Sequence, residues 1–170
     1  DPSLLPDYDV GSKILIDAIQ NKRRIYLHGD YDVDGVTSAA IFARFFESQQ
    51  ANFHVHVPHR TKEGYGIHET AVARAVEQKA EVFLTCDCGV SAVEPVAQAR
   101  ELGMQVVVTD HHEPGAILPN AHALINPHLA HSRYPFVHLS GAGIVFKFCA
   151  GLTRDMGLPL DKYYNAFLDL

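Results

Sequence analysis

The sequence predicts an α/β fold: a mostly parallel β-sheet with helices on both faces and a metal site at the carboxyl ends of the strands. Short apolar runs rich in β-branched residues alternate with segments of helical periodicity. Several of the runs are almost continuously apolar, which is typical of central strands covered on both faces. Acidic and histidine residues follow these runs, at the edge where open α/β sheets bind ligands.

Five strands are predicted from the apolar runs, over residues 24–28, 53–58, 81–86, 105–110 and 122–126. Between the strands, apolar residues recur on one helical face and predict helices over 36–46, 67–76 and 92–102. Two more helices are predicted over 141–157 and from Leu160 onward. Strands that alternate with helices in this way form βαβ units, so the sheet is expected to be mostly parallel.

The composition is that of one globular domain, residues 1–170, with a sizeable core. Of its 170 residues, 47% are hydrophobic and 20% are charged. The net charge of −6 argues against a general nucleic-acid-binding surface, which is normally basic. No apolar run approaches the roughly 20 residues that cross a bilayer, and the start of the chain lacks the pattern of a signal peptide.

The three cysteines, Cys86, Cys88 and Cys149, are too few for a disulfide framework and predict a reducing, cytoplasmic location. Cys86 and Cys88 form a CxC pair without a second pair to complete a zinc site. We expect both side chains to be buried on one face at the end of a strand.

Carboxylates and imidazoles are concentrated directly after the predicted strands. The stretch "HGDYDVDG" contains His28, Asp30, Asp32 and Asp34, and the next buried strand is followed by Asp87. A third strand is followed by Asp110, His111 and His112. Oxygen and imidazole ligands together suit Mn²⁺, Fe²⁺ or Zn²⁺, and two such ions held by shared carboxylates are a recurrent device of phosphoryl chemistry. Taken alone, Asp34 would be interpreted as a helix N-cap, but the convergence of several strand ends predicts a metal site.

Five motifs carry a resemblance to a known family. They follow one another in the order "HGDYDVDGVTS", "TCDCGVS", "VVVTDHHEPG", "INPH" and "LSGAGIVFKF". This series resembles the DHH phosphoesterase superfamily, and "DYDVDG" with "GYG" resembles its RecJ branch of single-strand-specific exonucleases.

The resemblance implies a set of metal ligands and a set of supporting groups. The implied ligands are His28, Asp32, Asp34, Asp87 and His111, with Asp87 as the carboxylate shared by two ions. His112 is expected to face a substrate phosphate, while Asp30 and Asp110 orient ligands and water. The implied cofactor is Mn²⁺ in a two-metal site, with Mg²⁺ as the alternative.

Candidate phosphate contacts come from two other segments. Arg60 lies in "HRTKEGYG", which resembles a loop of the family, and Lys62 is two residues further on. The backbone at Ser140 and Gly141 precedes a helix and forms either an anion-binding nest or a close helix contact. Lys147, inside that helix, is interpreted as a solvated side chain.

The function implied by the resemblance is hydrolysis of single-stranded DNA from its 5′ end, in DNA repair and recombination. RecJ-like enzymes carry a further metal-binding aspartate and a C-terminal domain of the DHHA1 type, which would lie beyond Leu170. We therefore expect residues 1–170 to be a truncated catalytic domain with weak or no activity alone. Two alternatives stay open: a phosphoesterase of small substrates such as oligonucleotides, cyclic dinucleotides or pyrophosphate, and a non-catalytic DNA-binding relative.

Overall fold

The computed structural model describes residues 1–169, which fold into one layered α/β unit. A short 3₁₀ helix, Pro2–Leu4, precedes six helices: α1 (Tyr8–Gln20), α2 (Val33–Ser48), α3 (Glu69–Glu77), α4 (Val93–Glu101), α5 (Gly141–Asp155) and α6 (Leu160–Phe167). The strands are β1 (Ile25–His28), β2 (Phe53–His56), β3 (Val82–Cys86), β4 (Gln105–Thr109) and β5 (Ala123–Ile125). Every strand and helix predicted from the sequence is present, with ends shifted by a few residues.

The five strands form one sheet in the order β2-β1-β3-β4-β5, and all four strand pairs are parallel. The predicted α/β fold is therefore confirmed. In this register His28 at the end of β1 pairs with Thr85, and Cys86 at the end of β3 pairs with Thr109. The segments that follow β1, β3 and β4 therefore leave the sheet at one edge.

Two hydrophobic clusters cover the two faces of the sheet. The larger contains Leu27 of β1 with the buried faces of α1, α2, α5 and α6. The smaller contains Tyr26, the neighbour of Leu27, with the buried residues of α3 and α4. Successive side chains of a strand point to opposite faces, so β1 is buried along its whole length, as its continuous apolar run predicts.

The expected placement of the CxC cysteines is wrong. Cys86 belongs to the larger cluster and Cys88 to the smaller one, on the other face of the sheet. Between them Asp87 has a φ of 59°, in the left-handed region. Side chains therefore stop alternating between the two faces of the sheet after Cys86. All three cysteines are buried and free.

Within residues 1–169, no helix combines the length and apolar character needed to cross a membrane.

Candidate metal centre

The carboxylate of Asp87 is buried at the centre of the predicted site. Its left-handed backbone turns the chain sharply at the end of β3, and the residue is only 1% exposed. Within the described residues its Oδ1 has no hydrogen-bond partner, although Nε2 of His111 lies 3.1 Å away. A buried carboxylate oxygen without a donor is costly unless a cation or a proton occupies the space before it.

Two groups of possible ligand atoms meet at Asp87. One consists of Asp87, His111 and His112, and the other of Asp30, Asp32 and Asp87. In each group the ligand atoms lie within 4.8 Å of one another. Asp87 is the member common to both groups, which is the arrangement expected of a carboxylate shared between two ions.

Asp34 lies beside these groups and also holds helix α5. Its Oδ2 is 3.5 Å from Nε2 of His111. Its two oxygens accept hydrogen bonds of 2.7 Å from the amides of Gly141 and Ala142, at the start of α5. Asp34 therefore places the N-terminus of α5, with its partial positive charge, directly against the acidic cluster.

The N-cap of α2 is Asp32 rather than Asp34. The Asp32 side chain accepts the amide of Gly35 at 2.9 Å, while Asp34 lies in the first turn of the helix. Gly35 is required there, because a Cβ on it would lie 2.5 Å from the carbonyl oxygen of Asp30. The tight packing fixes the turn that carries the three aspartates.

His28 belongs to neither of the two groups of ligand atoms. It is buried at the end of β1, and its Nε2 lies 3.2 Å from the carbonyl oxygen of Gly66. A carbonyl only accepts, so Nε2 carries the proton and Nδ1, which has no partner in the described chain, carries the lone pair. Burial lowers the pKa of His28 to about 4, which keeps the ring neutral. Its role as a ligand stays a prediction.

The acidic cluster is electrostatically strained without a cation. Burial, together with the charges of Asp34 and Asp32, raises the pKa of Asp87 to about 8. Burial also raises the pKa of Asp30, whose Oδ1 has no partner among the described residues. Divalent cations reverse such shifts, because they favour the ionised carboxylates. These orphaned oxygens and the mixed oxygen and imidazole donors fit a site for divalent metal ions.

Asp110 is engaged by hydrogen bonds and orients the segment that follows β4. Its carboxylate accepts from the amide of Val90 at 2.8 Å, from the amide of His111 at 2.7 Å and from Nδ1 of His112 at 2.7 Å. Burial opposes ionisation of Asp110, but the hydrogen bonds from His112 and Val90 outweigh it and lower the pKa. The same contact raises the pKa of His112. This geometry agrees with the orienting role expected of Asp110.

Tyr65 is a site residue that the sequence interpretation did not single out. Its hydroxyl lies 3.2 Å from both ring nitrogens of His112, and the two rings meet edge to face. Tyr65, Asp110 and His112 border a cavity of about 200 Å³ beside the cluster. The signal was present in "GYG", since Gly64 and Gly66 both have the positive φ that favours glycine.

The candidate phosphate contacts have different surroundings. Arg60 is exposed, and its guanidinium lies 5.5 Å from the ring centre of Tyr31. In the sequence Tyr31 stands between Asp30 and Asp32. Lys62 is exposed on the same loop, and Lys147 is half-buried on α5. Of these three cations, Arg60 is the one for which the structure records a contact beside the aspartates.

The backbone at the start of α5 has partners within the chain. The Gly141 amide binds Asp34, and the Ser140 hydroxyl accepts the amide of Gly143 as the N-cap of α5. A phosphate role for Ser140 and Gly141 stays a prediction, and a ligand at this nest would compete with Asp34.

Comparison with known proteins identifies the family. The model of the DHH family, N-terminal domain, matches residues 24–169. The chain belongs to the DHH family. The resemblance found in the five motifs is thereby confirmed, and the matched residues of this DHH domain include the whole sheet and the acidic cluster.

Two bacterial proteins named RecJ are similar to this domain in sequence. The DHH domain is 38% identical over 139 residues to the single-stranded-DNA-specific exonuclease RecJ of Bacillus subtilis, covering 82% of this chain and 18% of the relative. It is 39% identical over 149 residues to RecJ of Escherichia coli, covering 85% of this chain and 26% of the relative. The chain thus spans about a quarter or less of the length of these two proteins.

Solved structures agree with this assignment. Exonuclease RecJ bound to manganese matches 94% of this chain and 40% of that chain, with a TM-score of 0.85 and 34% identity. RecJ of Thermus thermophilus in complex with Mn²⁺ matches 94% of this chain and 22% of that chain, with a TM-score of 0.77 and 31% identity.

Proposed function

We propose that this DHH domain is the metal-binding catalytic part of a RecJ-like exonuclease, which hydrolyses phosphodiester bonds of single-stranded DNA from the 5′ end. The observation that carries the proposal is the sharing of Asp87 between two groups of ligand atoms. The similarity to proteins named single-stranded-DNA-specific exonucleases supports the same substrate class. The direction of digestion and a cytoplasmic location belong to the proposal as well.

The proposed ligands are Asp32, Asp34, Asp87 and His111, with His28 as a further candidate. Mn²⁺ is the proposed ion and Mg²⁺ the alternative, since RecJ structures contain either one. When bound, such ions lower the pKa of a water and offset charge on the attacked phosphate. Mixed carboxylate and imidazole donors favour Mn²⁺ over Ca²⁺.

The remaining residues of the proposed site orient each other and supply positive charge for the phosphates of the DNA strand. Asp110 holds His112 through Nδ1 and raises its pKa, which favours the imidazolium form that can donate to a phosphate oxygen. Arg60 lies on the exposed side of the cluster, where its guanidinium can bind a second phosphate of the strand. In the absence of metal, the aspartates repel a phosphate backbone, so DNA binding is expected to require the ion.

A nuclease assay with Mn²⁺ tests the proposal. The substrates are oligonucleotides of one sequence, labelled internally and blocked either at the 5′ or at the 3′ end, with duplex DNA and a cyclic dinucleotide as competitors. Asp87→Asn is the inactive variant, and Glu47→Gln, an exposed change on α2, is the matched control.

Loss of Mn²⁺-dependent cleavage in Asp87→Asn, with the 5′ block protecting the strand and the 3′ block not, supports the proposal. Preferential hydrolysis of the cyclic dinucleotide would assign the domain to the small-substrate phosphoesterases. Metal-independent binding of DNA without cleavage by any preparation would favour the non-catalytic relative.

A further inference from the structure

We propose that Glu63 is a positioning residue, which fixes the loop 57–66 and through it the placement of Tyr65 against His112. The loop forms most of the connection between β2 and α3, residues 57–68, and carries the "GYG" segment. The effect of Glu63 on catalysis rests on the proposed function, whereas its effect on the position of the loop does not.

The carboxylate of Glu63 joins three parts of the chain. It accepts the backbone amide of His59 at 3.0 Å, near the start of the loop. It pairs with Arg74 in the last turn of α3, and it lies 3.1 Å from Nε2 of His56 at the end of β2. Glu63 thus ties the loop to both elements that the loop connects.

The carboxylate of Glu63 lies on the buried side of this cluster, which makes its contacts worth more than those of a fully exposed ion pair, although Arg74 itself is 42% exposed. The side chains of Glu63 and His56 are 19% and 16% exposed. The hydrogen bond from His59, reinforced by Arg74, lowers the pKa of Glu63 to about 2, so the carboxylate is ionised at neutral pH. The two donors use different oxygens of Glu63, so replacing one oxygen by the NH₂ group of glutamine would leave either Arg74 or the His59 amide without its acceptor.

Glu63 is connected to the site through the three residues that follow it, Gly64, Tyr65 and Gly66. Gly64 and Gly66, on either side of Tyr65, have φ values of 80° and 86°. Between them, Tyr65 directs its hydroxyl to within 3.2 Å of the His112 ring nitrogens. The carbonyl of Gly66 accepts from His28, which adds a second contact between the loop and the strand edge.

The loop has few other attachments, which is why one residue can decide its position. Most of its residues are exposed, including His59, Arg60 and Tyr65. An exposed loop with little buried apolar surface opens locally at low free energy unless polar contacts hold it. Glu63 supplies such contacts at its centre.

The test compares Glu63→Gln with Tyr65→Phe and with the control Glu47→Gln, in the absence of metal and DNA. Hydrogen exchange reports on the amides of residues 59–66, and NMR of the histidine rings reports on His112. We expect Glu63→Gln to speed exchange in the loop about tenfold or more, while the amides of β1 and β3 stay protected. We expect the ring signals of His112 to move in the same direction in Glu63→Gln and Tyr65→Phe, and to stay in place in Glu47→Gln.

A second measurement separates positioning from general stability. With Mn²⁺ and single-stranded DNA, Glu63→Gln and Tyr65→Phe should lower kcat/KM to a similar extent, and the double variant no further, because both act through one contact. Arg74→Gln keeps Glu63 but removes its partner, and it should also speed hydrogen exchange of the loop amides. This variant serves as the test if Glu63→Gln does not fold.

Unchanged loop exchange and an unmoved His112 ring in both Glu63→Gln and Arg74→Gln would overturn the inference. Losses of Glu63→Gln and Tyr65→Phe that multiply in the double variant would overturn it as well. If the wild-type chain neither cleaves single-stranded DNA nor binds it in a Mn²⁺-dependent way, the proposed function fails, but the exchange and NMR results still decide the role of Glu63.

Discussion

Gly141 and Asp87 lie so close that a Cβ on Gly141 would be 2.8 Å from both the Cβ and the carboxyl carbon of Asp87. The two residues are 54 positions apart in the sequence, at the start of α5 and at the end of β3. The amide of the same glycine binds Asp34. One small residue therefore lets the N-terminus of α5 approach two of the proposed metal-binding carboxylates at once.

Gly141→Ala should destabilise the fold by about 1–3 kcal/mol, because the added methyl group overpacks against Asp87. It should also weaken Mn²⁺ binding, since Asp87 has to move from the position shared by both ligand groups. Thermal unfolding and calorimetry measure the two effects.

Gly143→Ala is the matched control for this change. A Cβ there meets the flexible end of Leu139 at 3.3 Å, and no carboxylate of the cluster is among its neighbours. Because alanine is the better helix former, stability should stay equal or rise by up to about 1 kcal/mol. Equal losses of Mn²⁺ affinity in both variants would contradict a specific contact between Gly141 and Asp87.

The pKa of about 8 for Asp87 predicts a pH dependence of stability in metal-free buffer. Between the ordinary aspartate pKa near 3.9 and the folded value, the folded chain binds the extra proton, so stability falls as pH rises through this window. Asp87→Asn removes this loss and should melt a few degrees above the wild type at pH 8, since about 1 kcal/mol moves Tm by about 2–4 °C.

With saturating Mn²⁺ the order should reverse, because an ion that binds only the folded state stabilises the wild type by mass action. Melting curves of both proteins at pH 5 and pH 8, with and without Mn²⁺, give all four comparisons. If wild type and Asp87→Asn had the same order of stability at pH 8 with and without Mn²⁺, the result would argue against Asp87 as a ligand.

The sheet was predictable because each strand carries its own signal. The apolar runs that became β1, β3 and β4 are buried almost throughout, so the pattern alone identified central parallel strands. Helix α1 was not predicted, because it precedes the first strand and the alternation of strand and helix does not require it. Its buried Leu15, Ala18 and Ile19 do have helical spacing, so the signal was present.

The sequence identified residues that lie close together around Asp87, but it did not reveal the contacts between them. The rule that ligands bind beyond the strand ends gathered Asp30, Asp32, Asp87 and the two adjacent histidines. It could not show that Asp34 accepts two amides of α5, because that contact depends on how α2 packs on α5, more than 100 residues later. Nor could it separate His28 from the two groups of ligand atoms, since strand position does not reveal ring direction.

His111→Ala should raise the dissociation constant of Mn²⁺ at least tenfold while changing Ca²⁺ binding much less. The reason is that the imidazole of His111, 3.1 Å from Asp87, is the proposed nitrogen ligand, and a nitrogen ligand favours a borderline ion over a hard one. His131→Ala, an exposed histidine after β5, is the control. Titration calorimetry with each ion gives the ratio, and equal losses for Mn²⁺ and Ca²⁺ would contradict a nitrogen ligand.

Arg60→Ala should weaken the binding of single-stranded DNA and leave Mn²⁺ affinity unchanged. Arg60 is exposed and contacts the ring of Tyr31 rather than a carboxylate, so it is free to bind a phosphate. Each phosphate contact on a single strand contributes about 0.7 to the slope of log K against log salt, so the slope should flatten by about that amount.

Lys13→Ala, an exposed change on α1, should leave both slope and affinity unaltered. Fluorescence anisotropy of a short labelled oligonucleotide, titrated over salt with Mn²⁺ present, measures the slope. A weaker but parallel salt dependence in Arg60→Ala would mean that the residue shapes the loop without touching DNA.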